Sequence, residues 1–437
     1  MLVKTTPVPP RGWNSYDSYG VYINEEQAIA NIDAFAEKLA PHGYEYFVLD
    51  ACWYMDGTFM DTYNLRKENR DRKSHIDQYG RFIESPELFP RGLRFLADRC
   101  HNKGIKFGVH LMRGLPARAV AEDTPVKGCP GATAKSIADM DNLCAWPTFY
   151  MGAGINMDAR GAQEYYDSVV EYLANDVTVD FIKFDDAQEA IREVEALAAA
   201  IAKVERPIVL SISPGQETRP KNWARLAACS NMVRITCDIW DGDYAHWAVK
   251  FDRWEMFEKL GNENCWIDLD MIPLGGIQVH VPEGTPVECQ PVLGCRRKAN
   301  YSQSEKRTLM TQLALSCSPL FYGGDLPMSD ADDIAYATNP DVLACNAQGE
   351  GAECIWRWEH LDIRRSYCRG SREHGWIGLF NRNMLNDREF IVKPEMMFEA
   401  GVFPAEMFEV WENKVLQVKN NILRVKIPKN GAVFIRF

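Results

Sequence analysis

The chain has 437 residues, of which 46% are hydrophobic and 25% charged, and its formal net charge is -12. This length exceeds one small domain and suits a barrel of about 250 residues with a partner domain. The acidic balance argues against nucleic acid or an anionic membrane surface as the main partner. Because no run of about 18 apolar residues occurs, no membrane-spanning helix is predicted.

The N-terminal segment from Met1 to Pro10 lacks the apolar core of a signal peptide, so we expect a cytoplasmic protein. Thirteen cysteines are scattered along the chain without Cys-x-x-Cys pairs. This spacing argues against both a zinc module and a disulfide framework. The sequence leaves open whether the chain forms a homo-oligomer.

Eight predicted strands, most of them followed by a helix, occupy the first three quarters of the chain. The strands and their exits cover residues 11–16, 44–50, 105–114, 179–187, 207–213, 232–238, 265–271 and 319–325. Helices are predicted from Asn24 to Gly43 and at 85–100, 161–176, 187–204, 219–229, 244–260 and 302–317, and residues 115–160 are expected to be irregular. Regular alternation of strand and helix predicts a parallel sheet, and eight units are the number found in a closed (β/α)8 TIM barrel of the α/β class.

The alternation stops near residue 330, and shorter strand patterns separated by turn residues come after it. These patterns cover 354–358, 375–380, 388–392, 407–411, 422–427 and 432–436. They predict an antiparallel β-sandwich of about 100 residues. We therefore expect a catalytic barrel at 1–330 and a C-terminal β-sandwich domain at 331–437.

Charged side chains recur where the predicted barrel strands end. The carboxylates are Asp50, Asp185, Asp186, Asp238, Asp268, Asp270 and Asp325, and the basic residues among them are His110, Arg113, Lys183 and Arg234. A closed barrel brings all strand ends to one face, so these groups should form a cluster that binds a divalent metal or performs acid–base chemistry. Because Lys183 and Arg234 would repel a cation, we predict no metal and no other cofactor, although a metal-dependent hydrolase stays as an alternative.

Hydrolysis of a glycosidic bond also needs two carboxyl groups, which flank the sugar carbon that reacts. Four aromatic residues near the same rim could stack on the apolar face of a sugar, although each taken alone is more often a core residue. They are Trp13, Tyr16, Trp53 and Trp266.

Seven short motifs, in the same order, resemble those of glycoside hydrolase family 27, which contains α-galactosidases and α-N-acetylgalactosaminidases. They are Gly12-Trp13-Asn14-Ser15-Tyr16, Leu49-Asp50-Ala51-Cys52-Trp53, Lys106-Phe107-Gly108-Val109-His110, Lys183-Phe184-Asp185, Arg234-Ile235-Thr236-Cys237-Asp238, Trp266-Ile267-Asp268-Leu269-Asp270-Met271 and Ser318-Pro319-Leu320. The resemblance covers residues 11 to about 330. It implies a divergent bacterial-type member that releases a terminal α-linked, galactose-type sugar.

The resemblance also implies roles for individual residues. Asp185 matches the nucleophile and Asp238 the acid/base of a retaining mechanism, for which a carboxyl separation of about 5–5.5 Å would be suitable. Lys183 lies two residues before Asp185, so it should share the same strand face and favour the ionised nucleophile. The other expected substrate-binding residues are Tyr16, Asp50, Trp53, His110, Ser213, Arg234, Asp270 and Met271.

Some positions depart from the family pattern. Ala51 stands where galactosidases carry a second acid, and His110 replaces a tyrosine. Ala187 replaces a disulfide cysteine, and the fifth strand ends with Ser213, which leaves room for a 2-acetamido group, before the larger Gln216. These departures keep two further alternatives open, namely a relative acting on another axial-O4 sugar such as a β-L-arabinopyranoside, and a non-catalytic sugar-binding barrel. Asp186 has no assigned role.

Overall fold

Eight parallel strands close into a barrel in this computed structural model, which describes residues 6–56, 74–144, 151–187, 189–213, 218–241, 244–278 and 297–437. The strands are Arg11–Asn14, Tyr46–Leu49, Lys106–Met112, Phe181–Asp185, Val209–Ile212, Met232–Arg234, Trp266–Asp268 and Leu320–Tyr322. The first seven pair in chain order, and the eighth pairs with the first. A bridge between Ile272 and Tyr322 links the exit of the seventh strand to the eighth, so the predicted barrel is confirmed.

Helices cover the outside of the barrel. The main ones are Glu25–Lys38, Gly92–His101, Ala162–Glu171, Ile191–Ile201, Trp223–Cys229, Tyr244–Phe257 and Gln303–Leu315. Asn24 caps the first of these, since its side chain accepts from the backbone N–H of Gln27 while the Gln27 side chain accepts from that of Asn24. The predicted start of the second helix at Ser85 is wrong, because Pro90 disfavours helical backbone at the residue before it and Gly92 has a positive φ of 78°.

The connection between the third and fourth strands is more ordered than we expected. It contains a small antiparallel sheet of Leu115–Pro116, Ala138–Asp139 and Met151–Ile155, with short helices at Ala117–Glu122 and Ala134–Ile137. The prediction of irregular structure was wrong here, because strands of two residues are too short to produce a recognisable hydrophobic alternation.

Two antiparallel sheets, of six and three strands, form the C-terminal part and confirm the predicted β-sandwich. Helices Ala331–Ala337 and Pro340–Gln348 precede it, and the boundary at residue 330 remains a prediction. The longer strands are Glu353–Trp358, Leu361–Tyr367, Gly375–Asn381, Arg388–Val392, Ile422–Ile427 and Ala432–Arg436, and the shorter ones are Phe408–Glu409, Lys414–Val415 and Val418–Lys419.

The strand Leu361–Tyr367 was not predicted, because its charged residues interrupt the apolar pattern that indicates a buried strand. Asp362 and Arg364 are both fully buried. The Arg364 guanidinium lies 4.2 Å from the ring centroid of Trp254 and 3.1 Å from Glu258. These contacts attach the sandwich to the barrel helix Tyr244–Phe257 and its end.

Alternate residues of the barrel strands face opposite sides, as strand geometry requires. On the fourth strand, Phe181 belongs to an apolar cluster inside the barrel, whereas Ile182 and Phe184 pack in the layer between strands and helices. Lys183 and Asp185 therefore face inward, with Asp185 at the carboxyl end. Among the described residues, no helix is long and apolar enough to cross a bilayer.

One apolar cluster extends from the barrel helices into the sandwich. Phe380 of the sandwich is 0% exposed, and its ring centroid lies 5.1 Å from that of Phe251 and 6.4 Å from that of Trp254, both on helix Tyr244–Phe257. Its truncation would leave a cavity between the two parts.

Phe380→Ala should lower the free energy of unfolding by about 3–5 kcal/mol, because apolar burial is lost and a cavity remains. Urea unfolding followed by fluorescence would measure this loss. Leu385→Ala is the control, since this side chain is 81% exposed, and it should change the free energy by less than about 0.5 kcal/mol. Equal effects of the two substitutions would contradict the shared core.

Candidate active site

A pocket opens at the carboxyl ends of the barrel strands. It is lined by Tyr16, Asp17, Asp50, Ala51, His110, Lys183, Asp185, Arg234, Asp238, Ile239, Trp240, Asp270 and Met271. Of the residues predicted to be catalytic or substrate-binding, all except Trp53 and Ser213 therefore line this pocket. Four other charged residues that we expected in the same cluster do not line it, namely Arg113, Asp186, Asp268 and Asp325. The carboxyl face is where TIM barrels carry their active sites.

Asp50 is buried at the exit of the second strand, and polar contacts satisfy its carboxylate. Its Oδ2 accepts from Asn14 Nδ2 at 2.7 Å and from Lys183 Nζ at 2.8 Å, and its Oδ1 accepts from the Ala51 backbone N–H. Ser15 Oγ in turn accepts from the Asp50 backbone N–H. Burial alone would raise the pKa of Asp50, but Lys183 and His110 outweigh it and lower that pKa. The first motif thus holds the carboxylate of the second.

Asp185 lies at the end of the fourth strand among four cationic or polar partners. Its Oδ2 is 3.4 Å from His110 Nε2, and its Oδ1 accepts from the Asp186 backbone N–H at 2.7 Å. Burial would raise the pKa of Asp185, but hydrogen bonding with His110 and the charges of Lys183 and Arg234 hold that pKa well below its usual value. The carboxylate is therefore ionised across the neutral range, as a nucleophile must be.

Arg234 connects the sixth and seventh strands. Its Nη1 lies 2.6 Å from Asp238 Oδ1 and 3.2 Å from Asp270 Oδ1. Asp270 also accepts from the Ile239 backbone N–H through Oδ2, at 2.6 Å. The Asp238 side chain is 54% exposed, so water can reach it, whereas the Arg234 guanidinium beside it is almost fully buried.

Several predicted aromatic contacts are core contacts. Trp53 is 1% exposed and donates from Nε1 to the carbonyl of His110 at 2.9 Å, so it supports the third strand from behind the pocket. Trp13 and Trp266 are also buried and do not line the pocket. Only Tyr16 does, with its ring 5.9 Å from Lys183 Nζ and 6.4 Å from the ring of Trp240. Burial of a large aromatic is the commoner outcome at a strand end.

Ser213 is buried and follows the fifth strand at the level of Asp185, since Ile212 pairs with Phe184. It lines a second, smaller pocket together with Ser211 and Asp268. That pocket shares Lys183, Arg234, Asp270 and Met271 with the main one, so the fifth strand borders the site. Gln216 and most of the loop 276–300 lie outside the described residues.

Asp17, Ile239 and Trp240 also line the pocket, although we did not predict them from the sequence. Burial raises the pKa of Asp17 well above its usual value, and the nearby charge of Asp270 adds to that effect. Their position in the sequence could have indicated them, because each lies next to a predicted site residue: Asp17 follows Tyr16, and Ile239 and Trp240 follow Asp238. Which of these neighbours face the pocket depends on loop conformation, which no strand or helix period encodes.

Asp268 lies one layer below Asp270, and its Oδ1 accepts from the Asp270 backbone N–H at 2.8 Å. Burial, together with the negative charge of Asp270, raises the pKa of Asp268 to about 6. A buried carboxylate of this kind makes the stability of the barrel depend on pH.

No family model matches the chain. It is 23% identical to the α-galactosidase A of Cellvibrio japonicus over 100% of its length and 92% of that protein, and 24% identical to a rat α-N-acetylgalactosaminidase over 88% and 76% of the two chains. Its fold is similar to the crystal structure of a family 27 β-L-arabinopyranosidase from Geobacillus stearothermophilus, with a TM-score of 0.86, 29% identity, and coverage of 98% of this chain and 96% of that one. The resemblance to glycoside hydrolase family 27 is confirmed.

Asp268→Asn should stabilise the protein more at about pH 7 than at about pH 4. Because the pKa of Asp268 is higher in the folded protein than in the unfolded chain, folding takes up a proton between about pH 4 and about pH 6, and the free energy of unfolding falls as the pH rises. Asparagine removes this loss while still accepting the Asp270 N–H. The gain relative to wild type should grow by on the order of 2–3 kcal/mol over this range.

Urea unfolding at a series of pH values would measure the difference between variant and wild type. Asp332→Asn, at an exposed carboxylate, is the control. A gain for Asp268→Asn that stays constant from about pH 4 to about pH 7 would contradict the elevated pKa.

Proposed function

Because the chain is a glycoside hydrolase with the fold and motifs of family 27, we propose that it is a retaining, exo-acting α-glycosidase that releases terminal α-linked galactose or N-acetylgalactosamine. One observation carries the proposal. Asp185 and Asp238, which come from the exits of two different strands, line one pocket with opposite environments, since Asp185 is almost enclosed by polar partners and Asp238 is half exposed. Two carboxyl groups with different surroundings suit two different chemical roles.

In the first step, an oxygen of Asp185 attacks the anomeric carbon while the bond from that carbon to the leaving oxygen breaks. Asp238 gives its proton to the leaving oxygen, and the sugar becomes an ester of Asp185. Lys183 and His110 favour the ionised form of Asp185, which supplies the electron pair.

In the second step, Asp238 accepts a proton from water as that water attacks the same carbon. The ester bond breaks, Asp185 leaves as a carboxylate, and the sugar departs with its original anomeric configuration. The exposure of Asp238 suits this role, because the attacking water must reach it from solvent.

The remaining pocket residues recognise the sugar. Asp50 and Lys183 form an ion pair at 2.8 Å whose outer faces can accept from and donate to adjacent hydroxyl groups. Arg234 lies beside both Asp238 and Asp270. In our proposal it donates to the substituent at the 2-position of the bound sugar. Tyr16 and Trp240 provide an aromatic wall for the apolar face of the ring.

Asp185→Ala should lower kcat by more than about 10³-fold, because the covalent intermediate cannot form. Asp238→Ala should lower it by about 10²–10⁴-fold on substrates with poor leaving groups. Azide, which needs no general base, should restore turnover of Asp238→Ala on an activated aryl glycoside. Hydrolysis of nitrophenyl glycosides would measure these rates, with thermal unfolding to check that each variant folds.

A mechanism-based fluorosugar should label Asp185 in the wild-type protein, and peptide mass spectrometry would identify the labelled residue. Label on Asp186 would move the nucleophile by one residue. Near wild-type rates for either alanine variant would contradict the two-carboxylate mechanism, and sugar binding without any wild-type turnover would support a non-catalytic barrel.

The second candidate substrate is a β-L-arabinopyranoside. This sugar has the ring configuration of α-galactose but carries hydrogen in place of the C6 hydroxymethyl group. Ala51 lines the pocket where the family's galactosidases have a second carboxylate, so one hydroxyl acceptor is missing from that side. The fold similarity to a β-L-arabinopyranosidase from Geobacillus stearothermophilus supports the same alternative.

Ala51→Asp should raise the ratio of kcat/KM for nitrophenyl α-galactoside to that for nitrophenyl β-L-arabinopyranoside by on the order of 10-fold, because the new carboxylate accepts from the C6 hydroxyl. Ala51→Val is the control, since it fills the same space without an acceptor and should lower the ratio. A panel that also contains the α-N-acetylgalactosaminide and the α-glucoside would assign the preferred sugar. An equal loss on every substrate would show general damage to the pocket.

A further inference from the structure

Asp186, which follows the proposed nucleophile, has an unusual backbone conformation. Its φ is 55°, in the left-handed region that residues other than glycine, asparagine and aspartate rarely adopt. In this conformation its backbone N–H points back to the preceding side chain and donates to Asp185 Oδ1 at 2.7 Å. The left-handed backbone at Asp186 therefore determines the hydrogen bond that orients the Asp185 carboxylate.

Arg113, which directly follows the third strand, holds this turn. Its Nε–H lies 2.9 Å from the carbonyl oxygen of Asp186 and 3.1 Å from Asp186 Oδ2, so a single donor contacts both the backbone and the side chain. Its own backbone N–H donates to the carbonyl of Asp185 at 3.1 Å. Arg113 thus contacts both Asp185 and Asp186, the two residues joined by the peptide group whose N–H donates to Asp185 Oδ1.

Further hydrogen bonds, some of them buried, hold the arginine itself in place. Nη1 lies 3.2 Å from Glu193 Oε1, and Tyr166 Oη donates to Glu193 Oε2 at 2.6 Å. Nη2 donates to Asn142 Oδ1 at 3.1 Å and to the Leu143 carbonyl at 3.0 Å. Arg113 and Glu193 are both buried, and their ion pair is the enclosed part of this network.

We propose that Arg113 and Asp186 are positioning residues for the nucleophile: Arg113 stabilises the left-handed backbone at Asp186, and that backbone aims an N–H at Asp185 Oδ1 so that Oδ2 is directed toward the anomeric carbon. This inference rests on the proposed function of Asp185. It assigns a role to Asp186 through its main chain, while its carboxylate, engaged by Arg113, is absent from the residues that line the pocket.

Three substitutions at Asp186 separate backbone from side chain. Asp186→Gly and Asp186→Asn tolerate a positive φ, whereas Asp186→Val disfavours it strongly because valine is β-branched. We expect kcat to stay within about 3-fold of wild type for the first two and to fall on the order of 10–100-fold for Asp186→Val, with a smaller change in KM. The rate of inactivation by the fluorosugar should fall in parallel, and the acid limb of kcat/KM should move to higher pH as Asp185 loses its N–H donor.

Asn421→Val is the matched control, because Asn421 has a φ of 57° in an exposed hairpin turn of the sandwich. It should lower the melting temperature by an amount comparable to Asp186→Val and leave the kinetic parameters unchanged. Wild-type kinetics for Asp186→Val, or equal losses for Asp186→Gly and Asp186→Val, would overturn the inference. Absence of turnover and labelling in the wild type would instead overturn the proposed function, and the inference with it.

Arg113→Met tests the other half, and it should reproduce the kinetics of Asp186→Val. Because this substitution leaves a buried carboxylate without its partner, the double variant Arg113→Met/Glu193→Gln keeps the test informative if the single variant does not fold. Normal inactivation by the fluorosugar in a folded double variant would show that Arg113 supports only the fold.

Discussion

The two-residue period of a β-strand, closed into a barrel, is the constraint on which the rest of the structure depends. On the fourth strand it sends Ile182 and Phe184 outward to the helices and Phe181, Lys183 and Asp185 inward. Inward positions near the amino ends of the strands are apolar and fill the barrel, and those at the carboxyl ends are charged. Each charged side chain of the pocket thus comes from a strand whose outward side chains are fixed in the apolar layer between strands and helices.

Charge balance is the second requirement that the site satisfies. Burial of so many ionised groups would be costly without close partners, and the pocket alternates the two signs. Lys183 lies between Asp50 and Asp185, and Arg234 between Asp238 and Asp270. For Lys183 and Arg234, burial would lower the pKa, but the neighbouring carboxylates raise it, so both stay charged. The arrangement provides donors and acceptors in pairs, which suits a ligand that carries neighbouring hydroxyl groups.

The barrel, the sandwich and most pocket residues could be predicted from the sequence, because the carboxyl ends of all strands in a barrel lie at the same face. The sequence does not show how far each side chain lies from the pocket, or which residues of a loop face it. Trp53 and Ser213 lie near the pocket, but Trp53 packs behind it and Ser213 lines the smaller pocket beside it. Asp17 and Trp240 line the pocket because of turns that carry no periodic signal. The strand Leu361–Tyr367 was missed because Asp362 and Arg364 are buried among partners that are distant in sequence. Similarly, the left-handed turn at Asp186 depends on Arg113, more than 70 residues earlier in the chain.

The packing of the sandwich against helix Tyr244–Phe257 has a consequence for how remote changes reach the chemistry. Trp254 of this helix contacts Arg364 and Phe380 of the sandwich, and the adjacent Arg253 donates from Nε to the Ile235 carbonyl at 2.7 Å. Ile235 directly follows Arg234, the side chain that touches Asp238. A single helix therefore links the sandwich to the backbone beside Arg234. A substitution in the sandwich that moves this helix would shift Arg234, and with it the carboxylate that we propose as the acid/base, without altering any residue of the pocket.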